Sequence, residues 1–303
     1  MWHALQQWWG QRRLSASSQR IAAIVQRRPV QEDLWHSTVI ALPFIAHLTA
    51  QELARLRVMV SLFLDSKEFS GAQGLQVSDA QAVMVACQAC LPILHIAPPH
   101  RPDLALAWYD GFVGIVLHPA AVRARREWVD EDGVAHSGSE ELTGEILEGG
   151  PLMLAWSDVD AAGETANEAY NVVIHEFIHV MDVRDGAADG CPPMPAEKRQ
   201  MWLRVLHADY SAFCEACEIW QRFGSLSTNS SAYSKSDSST SSSTESPGAD
   251  AFDKPLLDTY GASSVDEFFA VACEAYFVQR LRFAKRYPML TAQFDAFFKP
   301  ASH

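Results

Sequence analysis

The stretch Asn171-Val-Val-Ile-His175-Glu176-Phe-Ile-His179-Val-Met-Asp182 decides how the rest of this 303-residue chain is interpreted. Its apolar residues recur at helical spacing, which predicts a buried helix. Residues four apart share one helix face, so the imidazoles of His175 and His179 are predicted to lie about one turn apart. Two neutral histidines and a glutamate would be costly to bury together without a partner. A zinc ion removes that cost, and H-E-x-x-H is typical of zinc sites in which the glutamate is the general base.

A catalytic zinc ion needs three protein ligands and an open position, so one ligand must come from elsewhere in the chain. The downstream candidates are His207, Glu215, Glu218, Glu267 and Glu274. Glu267 follows Ser263 and Ser264, either of which can cap a helix, and it is predicted in that helix's first turn. A carboxylate there also compensates the helix dipole without any metal. The pattern alone therefore does not identify the third ligand. It also leaves open the alternative that the two histidines are an ordinary helical pair that binds no metal.

The composition argues against two classes of function. The chain has 24 Lys and Arg against 37 Asp and Glu, a net charge of -13 and an isoelectric point near 5.2. Such a chain has no excess of positive charge with which to bind phosphates, so we expect no direct nucleic-acid binding. No apolar run reaches the ~18 residues that span a bilayer, and the first thirty residues lack the pattern of a secretory signal. We therefore expect a cytoplasmic protein without a transmembrane segment.

The first hundred residues divide into two parts. Residues 1–30 form a basic N-terminal segment in which five arginines and three tryptophans precede the first acidic residue, Glu32. This segment either contacts a membrane surface or an acidic partner, or it is a solvated terminus. Residues 31–105 are predicted to be helical, because capping boxes at Thr49 to Glu52 and at Ser78 to Gln81 precede apolar residues at helical spacing.

Residues 106–303 are predicted to form the catalytic region. Two β-prone runs, at 112–117 and 151–156, predict strands of a small sheet, with a turn at 130–133 between them and a helix that begins near Thr165. Residues 225–248 consist mostly of serine and threonine, which predicts a disordered surface insert. The predicted fold class is α+β, mainly α, with a helical N-terminal region.

The six cysteines are too sparse for a disulfide framework, and reduced thiols in the core are the expected state. Two C-x-x-C pairs, Cys87 with Cys90 and Cys214 with Cys217, leave a second zinc site open as an alternative. Neither pair has the turn-forming flanks of a zinc knuckle, so the sequence favours core thiols.

The motifs together resemble the Mlc titration factor A family of zinc peptidases. The resemblance lies in Asn171 to Asp182, in Ala188-Asp-Gly190 with Pro192, in Tyr260 to Phe277, and in the upstream segments 88–94 and 150–156. The C-terminal half is also similar to the catalytic domain of lethal-factor-type metallopeptidases. The resemblance implies a zincin-like fold of the gluzincin type, one catalytic Zn²⁺ and an aminopeptidase acting on short peptides.

The same resemblance implies a partner and a regulatory role. The family binds the glucose-responsive transcription repressor Mlc, so this protein is expected to bind Mlc or an equivalent and to influence sugar uptake. The alternative is a binding protein that titrates the repressor and has little or no physiological peptidase activity. No residue of the sequence can be assigned to that contact.

The resemblance also assigns roles to individual residues. It implies that the metal is held by His175, His179 and Glu267, and that Tyr260, seven positions before Glu267, faces the metal. Glu176 is expected to take a proton from the attacking water and to pass it to the leaving amine. Tyr260 is expected to donate a hydrogen bond to the developing oxyanion.

Two further expectations concern the surroundings of this site. Asp182 and Glu274 are competing candidates for a supporting hydrogen bond to a ligand imidazole. The strand at 152–155 is expected to offer an edge to which an extended substrate adds as another strand.

Overall fold

The computed structural model describes residues 16–120, 122–129, 135–142, 144–146, 150–230 and 254–300. The fold is α+β and mainly helical, as the sequence predicts. None of the helices in these ranges combines the length and the apolar character that a membrane crossing requires.

The N-terminal region consists of helices α1 (16–27), α2 (Glu32–Ala41), α3 (Ala50–Ser66) and α4 (Asp79–Cys90). Both predicted capping boxes are confirmed, one at Thr49 before α3 and one at Ser78 before α4. Each box satisfies backbone N–H groups that have no partner inside the helix. Helix α4 is buried along its second half and packs against α2, α3 and the helix that carries the two histidines.

The main sheet has four strands in the order β1–β2–β6–β5. Strands β1 (Glu68–Gly71), β2 (Gly114–His118) and β6 (Leu152–Ala155) are parallel, whereas β5 (Gly144–Ile146) is antiparallel to β6. Strands β3 (Val122–Val129) and β4 (Ala135–Leu142) form a separate two-stranded antiparallel sheet. The two predicted strands are confirmed as β2 and β6, and the predicted turn at 130–133 lies outside the described residues.

The prediction that residues 152–155 form a sheet edge is wrong. Strand β6 is hydrogen bonded to β2 on one side and to β5 on the other, so its backbone groups are already paired. In the described part of the chain the outer strands of this sheet are β1 and β5. The sequence did not predict this arrangement, because β1 and β5 are too short and too polar to show the alternating pattern of a strand.

After α4 the described ranges contain seven further α-helices: α5 (Pro102–Leu106), α6 (Trp156–Asp160), α7 (Val172–Asp182), α8 (Ala196–Ser230), α9 (Val265–Val278), α10 (Arg280–Arg286) and α11 (Pro288–Phe298). The prediction of a helix beginning near Thr165 is wrong. A short 3-10 turn, Thr165–Glu168, ends at Ala169, whose φ of 63° is left-handed and interrupts any continuation. Helix α7 begins only after Asn171 caps it.

Helices α7 and α9 pack against each other at the centre of the region. Helix α9 is buried along most of its length, which matches its almost continuous apolar sequence. Helix α8 extends through Ser230, so the first six residues of the predicted insert at 225–248 have helical backbone. Residues 231–248 lie outside the described residues.

Candidate metal centre

Helix α7 carries both histidines on the face that meets α9. The helix is capped by Asn171, whose side-chain oxygen accepts the backbone N–H of Ile174 at 2.9 Å. Its other residues are almost all buried, and it packs against β5, β6 and α9. His175 and His179 keep only a small exposed fraction, so their rings open to solvent on one side.

Three ligand atoms from α7 and α9 converge on one point. The Nε2 atoms of His175 and His179 are 3.1 Å apart. Glu267 Oε2 lies 3.0 Å from the first of these nitrogens and 3.3 Å from the second. A tetrahedral zinc ion with bonds of ~2.0–2.1 Å separates its ligand atoms by about 3.3 Å. The triangle of donor atoms therefore has the size and the chemistry that such an ion requires.

The position of Glu267 follows from the start of α9. Ser264 caps this helix by accepting the N–H of Glu267, and the carboxylate lies in the first turn as predicted. The other downstream candidates do not join the cluster. His207, Glu215 and Glu218 are exposed on α8, and Glu274 lies two turns further along α9. Among the described residues, the group of three is the one cluster with metal-ligand geometry.

Glu274 holds His175 by its other ring nitrogen. The distance from Glu274 Oε1 to His175 Nδ1 is 2.8 Å, and the second carboxylate oxygen accepts the backbone N–H of Asn171. With Nδ1 directed at a carboxylate, Nε2 of His175 is directed towards His179 and Glu267. The structure thus gives Glu274 the supporting role for which Asp182 was the rival candidate.

Asp182 makes a different contact. This residue is fully buried at the end of α7, and its carboxylate accepts the N–H of Gly190 at 2.9 Å. Burial raises the pKa of Asp182 to about 6, although the N–H of Gly190 opposes the shift. The expectation that Asp182 orients a ligand imidazole is not met, because its hydrogen bond goes to the loop that follows α7.

The electrostatics of the cluster favour a cation. Burial alone lowers the pKa of His175, but hydrogen bonds with Glu267 and Glu274 raise it well above its ordinary value. Burial acts to raise the pKa of Glu267, but its hydrogen bonds with both histidines bring it far below the usual range. Two carboxylates around a pair of imidazoles thus stabilise positive charge at the point where the three ligand atoms meet.

Glu176 lies beside this cluster and is nearly inaccessible to solvent. Burial raises the pKa of its carboxyl, and the neighbouring His175 and His179 oppose the shift. A carboxylate whose pKa is raised towards neutrality is a better proton acceptor at neutral pH than one with an ordinary pKa.

Tyr260 lies on the open side of the cluster. It belongs to a 3-10 turn, Thr259–Ala262, whose first N–H groups are organised by Asp258. Its hydroxyl donates to Glu267 Oε1 at 3.4 Å, and its ring centre lies 6.3 Å from that of His175. About half of the residue is exposed. The hydroxyl is therefore near the ligand atoms and accessible to a molecule arriving from solvent.

The cysteines do not form a second site in the described part of the chain. All six are free, and five of them are buried. Burial raises the pKa of the Cys87 thiol to about 12, so this group stays protonated at neutral pH. The alternative of a second zinc site built from the two C-x-x-C pairs is therefore not supported.

Sequence reasoning gave no role to two residues that support the cluster. Asn171 caps α7, and its side-chain nitrogen donates to Gln88 of α4 at 2.7 Å. An asparagine one turn before the first histidine is a recognisable helix cap. No local signal marks Gln88, because its role depends on the contact between α4 and α7.

Comparisons with known proteins relate the chain to metallo-peptidases and to proteins named Mlc titration factor A. The family described as "Glucose-regulated metallo-peptidase M90" matches residues 13–299. A protein named Mlc titration factor A from Salmonella arizonae is 28% identical over 267 residues, which cover 88% of this chain and 90% of that protein. Proteins of the same name from Salmonella schwarzengrund and Salmonella typhimurium are each 29% identical over 269 residues, covering 88% of this chain and 86% of theirs.

Proposed function

Because the chain belongs to the family of glucose-regulated M90 metallo-peptidases, we propose that it is a zinc-dependent peptidase with His175, His179 and Glu267 as ligands. The observation that carries the proposal is the convergence of two imidazole nitrogens and one carboxylate oxygen at 3.0 to 3.3 Å from one another. Two histidines and a glutamate form a ligand set that catalytic zinc uses. Tyr260, of which about half is exposed, lies on the side of the cluster that solvent reaches.

A bound zinc ion would supply Lewis acidity towards a water molecule and a peptide carbonyl. Glu176 accepts the proton that the water loses as it attacks and then delivers it to the leaving amine. Its burial supports both roles, because the raised pKa makes the carboxyl a competent base and, once protonated, a competent acid. Tyr260 donates a hydrogen bond to the carbonyl oxygen of the substrate as negative charge develops there.

The substrate is a peptide that adds to the outer edge of β5. This strand pairs with β6 on one side, and it packs against α7, which carries the two histidines. Main-chain hydrogen bonds to such an edge hold an extended peptide irrespective of its side chains. The resemblance noted in the sequence supports an aminopeptidase acting on short peptides.

A second function is favoured by the names of the relatives. Proteins called Mlc titration factor A match most of the chain, which supports Mlc or an equivalent repressor as a partner. The resemblance noted in the sequence adds a cytoplasmic location and an effect on sugar uptake. In this reading the protein is a titrating binding protein with little or no physiological peptidase activity. The burial and position of Glu176 favour the enzyme, because titration alone has no use for a base at the metal.

The test combines metal analysis with an activity assay. The purified chain is expected to contain one zinc ion per protein and to cleave a chromogenic amino-acid anilide. Glu176→Gln is expected to keep the zinc and to lower turnover by on the order of a hundredfold or more, since the ligands remain and the base is lost. Glu218→Gln, the same chemical change at an exposed position of α8, is the matched control and should leave turnover unchanged.

Two further measurements distinguish the proposals. An anilide whose amino group is acetylated should be resistant to an aminopeptidase and cleaved by an endopeptidase. A protein that lacks zinc and peptidase activity yet binds the repressor would refute the enzyme and leave the titration function.

A further inference from the structure

Gln88 is a buried polar residue that the proposed chemistry does not use. It lies on α4 among apolar residues, and only 1% of its surface is exposed. Its side-chain nitrogen donates to the backbone oxygen of Met84 at 3.2 Å, and its side-chain oxygen accepts from Asn171 at 2.7 Å. A buried amide is costly unless its groups are paired. The side-chain oxygen of Gln88 therefore has a hydrogen-bond partner only while α4 stays in contact with the start of α7.

Asn171 has a fixed orientation because it caps α7. Its side-chain oxygen accepts the N–H of Ile174, so its side-chain nitrogen must point the other way, towards Gln88. Its backbone N–H donates to Glu274. One fully buried residue thus joins the start of α7, helix α4 and helix α9.

Glu274 connects Asn171 to His175, which is a proposed metal ligand. The carboxylate accepts the Asn171 N–H with one oxygen and contacts Nδ1 of His175 with the other, at 2.8 Å. Buried hydrogen bonds therefore run without a gap from Gln88 through Asn171 and Glu274 to His175. Losing any one of these residues would leave a polar atom of its neighbour without a partner in the protein interior, where the low dielectric makes an unpaired polar group costly.

We propose that Gln88 and Asn171 are positioning residues for His175, so that helix α4 of the N-terminal region is an integral part of the metal centre. The inference rests on the proposed function in taking His175 as a ligand, but the hydrogen-bond chain itself contains no metal. Its physical basis is that Asn171 connects Gln88 to Glu274. The Asn171 N–H fixes one oxygen, and the Gln88 amide fixes Asn171.

The first test is Gln88→Met, which keeps the size and shape of the side chain but leaves the Asn171 nitrogen without an acceptor. Zinc affinity should fall about tenfold, at the lower end of the ~10- to 100-fold losses seen when groups behind a ligand are removed. The control is Val83→Ala, a buried change on α4 about 140° around the helix from Gln88. It should lower stability to urea and leave zinc affinity unchanged. If Gln88→Met fails to fold, Gln88→Asn, which keeps the amide but shortens its reach, replaces it.

A double-mutant cycle separates positioning from general destabilisation. If Gln88 acts through Glu274, then Gln88→Met should weaken zinc binding much less in a Glu274→Gln background than in the wild type. Equal fold-changes in the two backgrounds would overturn the proposal. So would an unchanged affinity in Gln88→Met, or a loss in Val83→Ala as large as that in Gln88→Met.

A metal-free measurement keeps this inference distinct from the proposed function. In the full-length metal-free chain, the ¹⁵N resonance of His175 Nδ1 reports its hydrogen bond to Glu274. Gln88→Met should shift this resonance, whereas Val83→Ala should not. A chain that binds no zinc but shows the shift would refute the metal centre and retain the positioning role. An unshifted resonance in Gln88→Met would refute the positioning role, whatever the metal content.

Discussion

Glu267 and Glu274 lie on one helix, and replacing each by alanine should affect metal binding and metal-free stability in opposite order: Glu267→Ala should cost more zinc affinity, and Glu274→Ala should cost more stability. Glu267 Oε2 is within 3.3 Å of both Nε2 atoms, so Glu267→Ala removes one of three proposed ligands. Glu274 contacts only the far nitrogen of His175, so Glu274→Ala removes support but no ligand. We expect the first change to abolish tight zinc binding and the second to weaken it by ~10- to 100-fold.

The expected magnitudes follow from the surroundings of each carboxylate. A direct ligand should contribute more than a supporting group, so Glu267→Ala should cost more than about 2.7 kcal/mol of zinc binding, or a hundredfold. Without metal the same variant should lose little stability, because water reaches the partly exposed imidazoles it leaves behind. Glu274→Ala leaves the buried Asn171 N–H unpaired, which should cost the metal-free protein about 3 kcal/mol.

The assay is zinc competition against a chromogenic chelator, combined with urea unfolding of each metal-free variant. Glu218→Ala on α8, a carboxylate that the sequence alone also allowed as a ligand, is the control and should change neither quantity. If Glu274→Ala loses the metal while Glu267→Ala retains it, the third ligand has been assigned to the wrong carboxylate. The role proposed for Tyr260 then fails as well, since its hydroxyl contacts Glu267.

Three further outcomes are expected. Tyr260→Phe should retain zinc fully and lower turnover by on the order of a hundredfold, and equal turnover would remove its role as oxyanion donor. Gly190 has a φ of 74°, and an added Cβ would lie 2.7 Å from the fully buried side chain of Leu206 and 3.1 Å from the backbone oxygen of Val265. Gly74 has a similar φ of 83° but open space around it, so Gly74→Ala should cost only roughly 1 kcal/mol. In urea unfolding, Gly190→Ala should therefore lose clearly more stability than Gly74→Ala. Burial lowers the pKa of Lys67 from 10.5 to about 8, so the folded state binds fewer protons than the unfolded state between these values. The stability of the wild type relative to Lys67→Met should therefore rise with pH across that interval, and a difference that is constant or falls would contradict the shift.

The sequence by itself determined the features that depend on neighbours along the chain. The caps at Thr49 and Ser78 were predicted, and the cap before α9 was narrowed to Ser263 or Ser264, because a capping side chain bonds to a backbone group only three residues away. The pair His175 and His179 was predicted to share a helix face for the same reason, since helical geometry fixes residues four apart. Family resemblance added Glu267 and Tyr260, which no local pattern could select.

Only the tertiary structure decided which distant groups meet. His179 and Glu267 are 88 positions apart, and their contact depends on how α7 packs against α9. The interior place of β6 was equally hidden, because it depends on pairing with a short strand that has no pattern of its own. Gln88 is the clearest case, since an amide in an apolar helix predicts only a buried polar group. Its link to the proposed metal centre exists because the fold places α4 against the residue that caps α7.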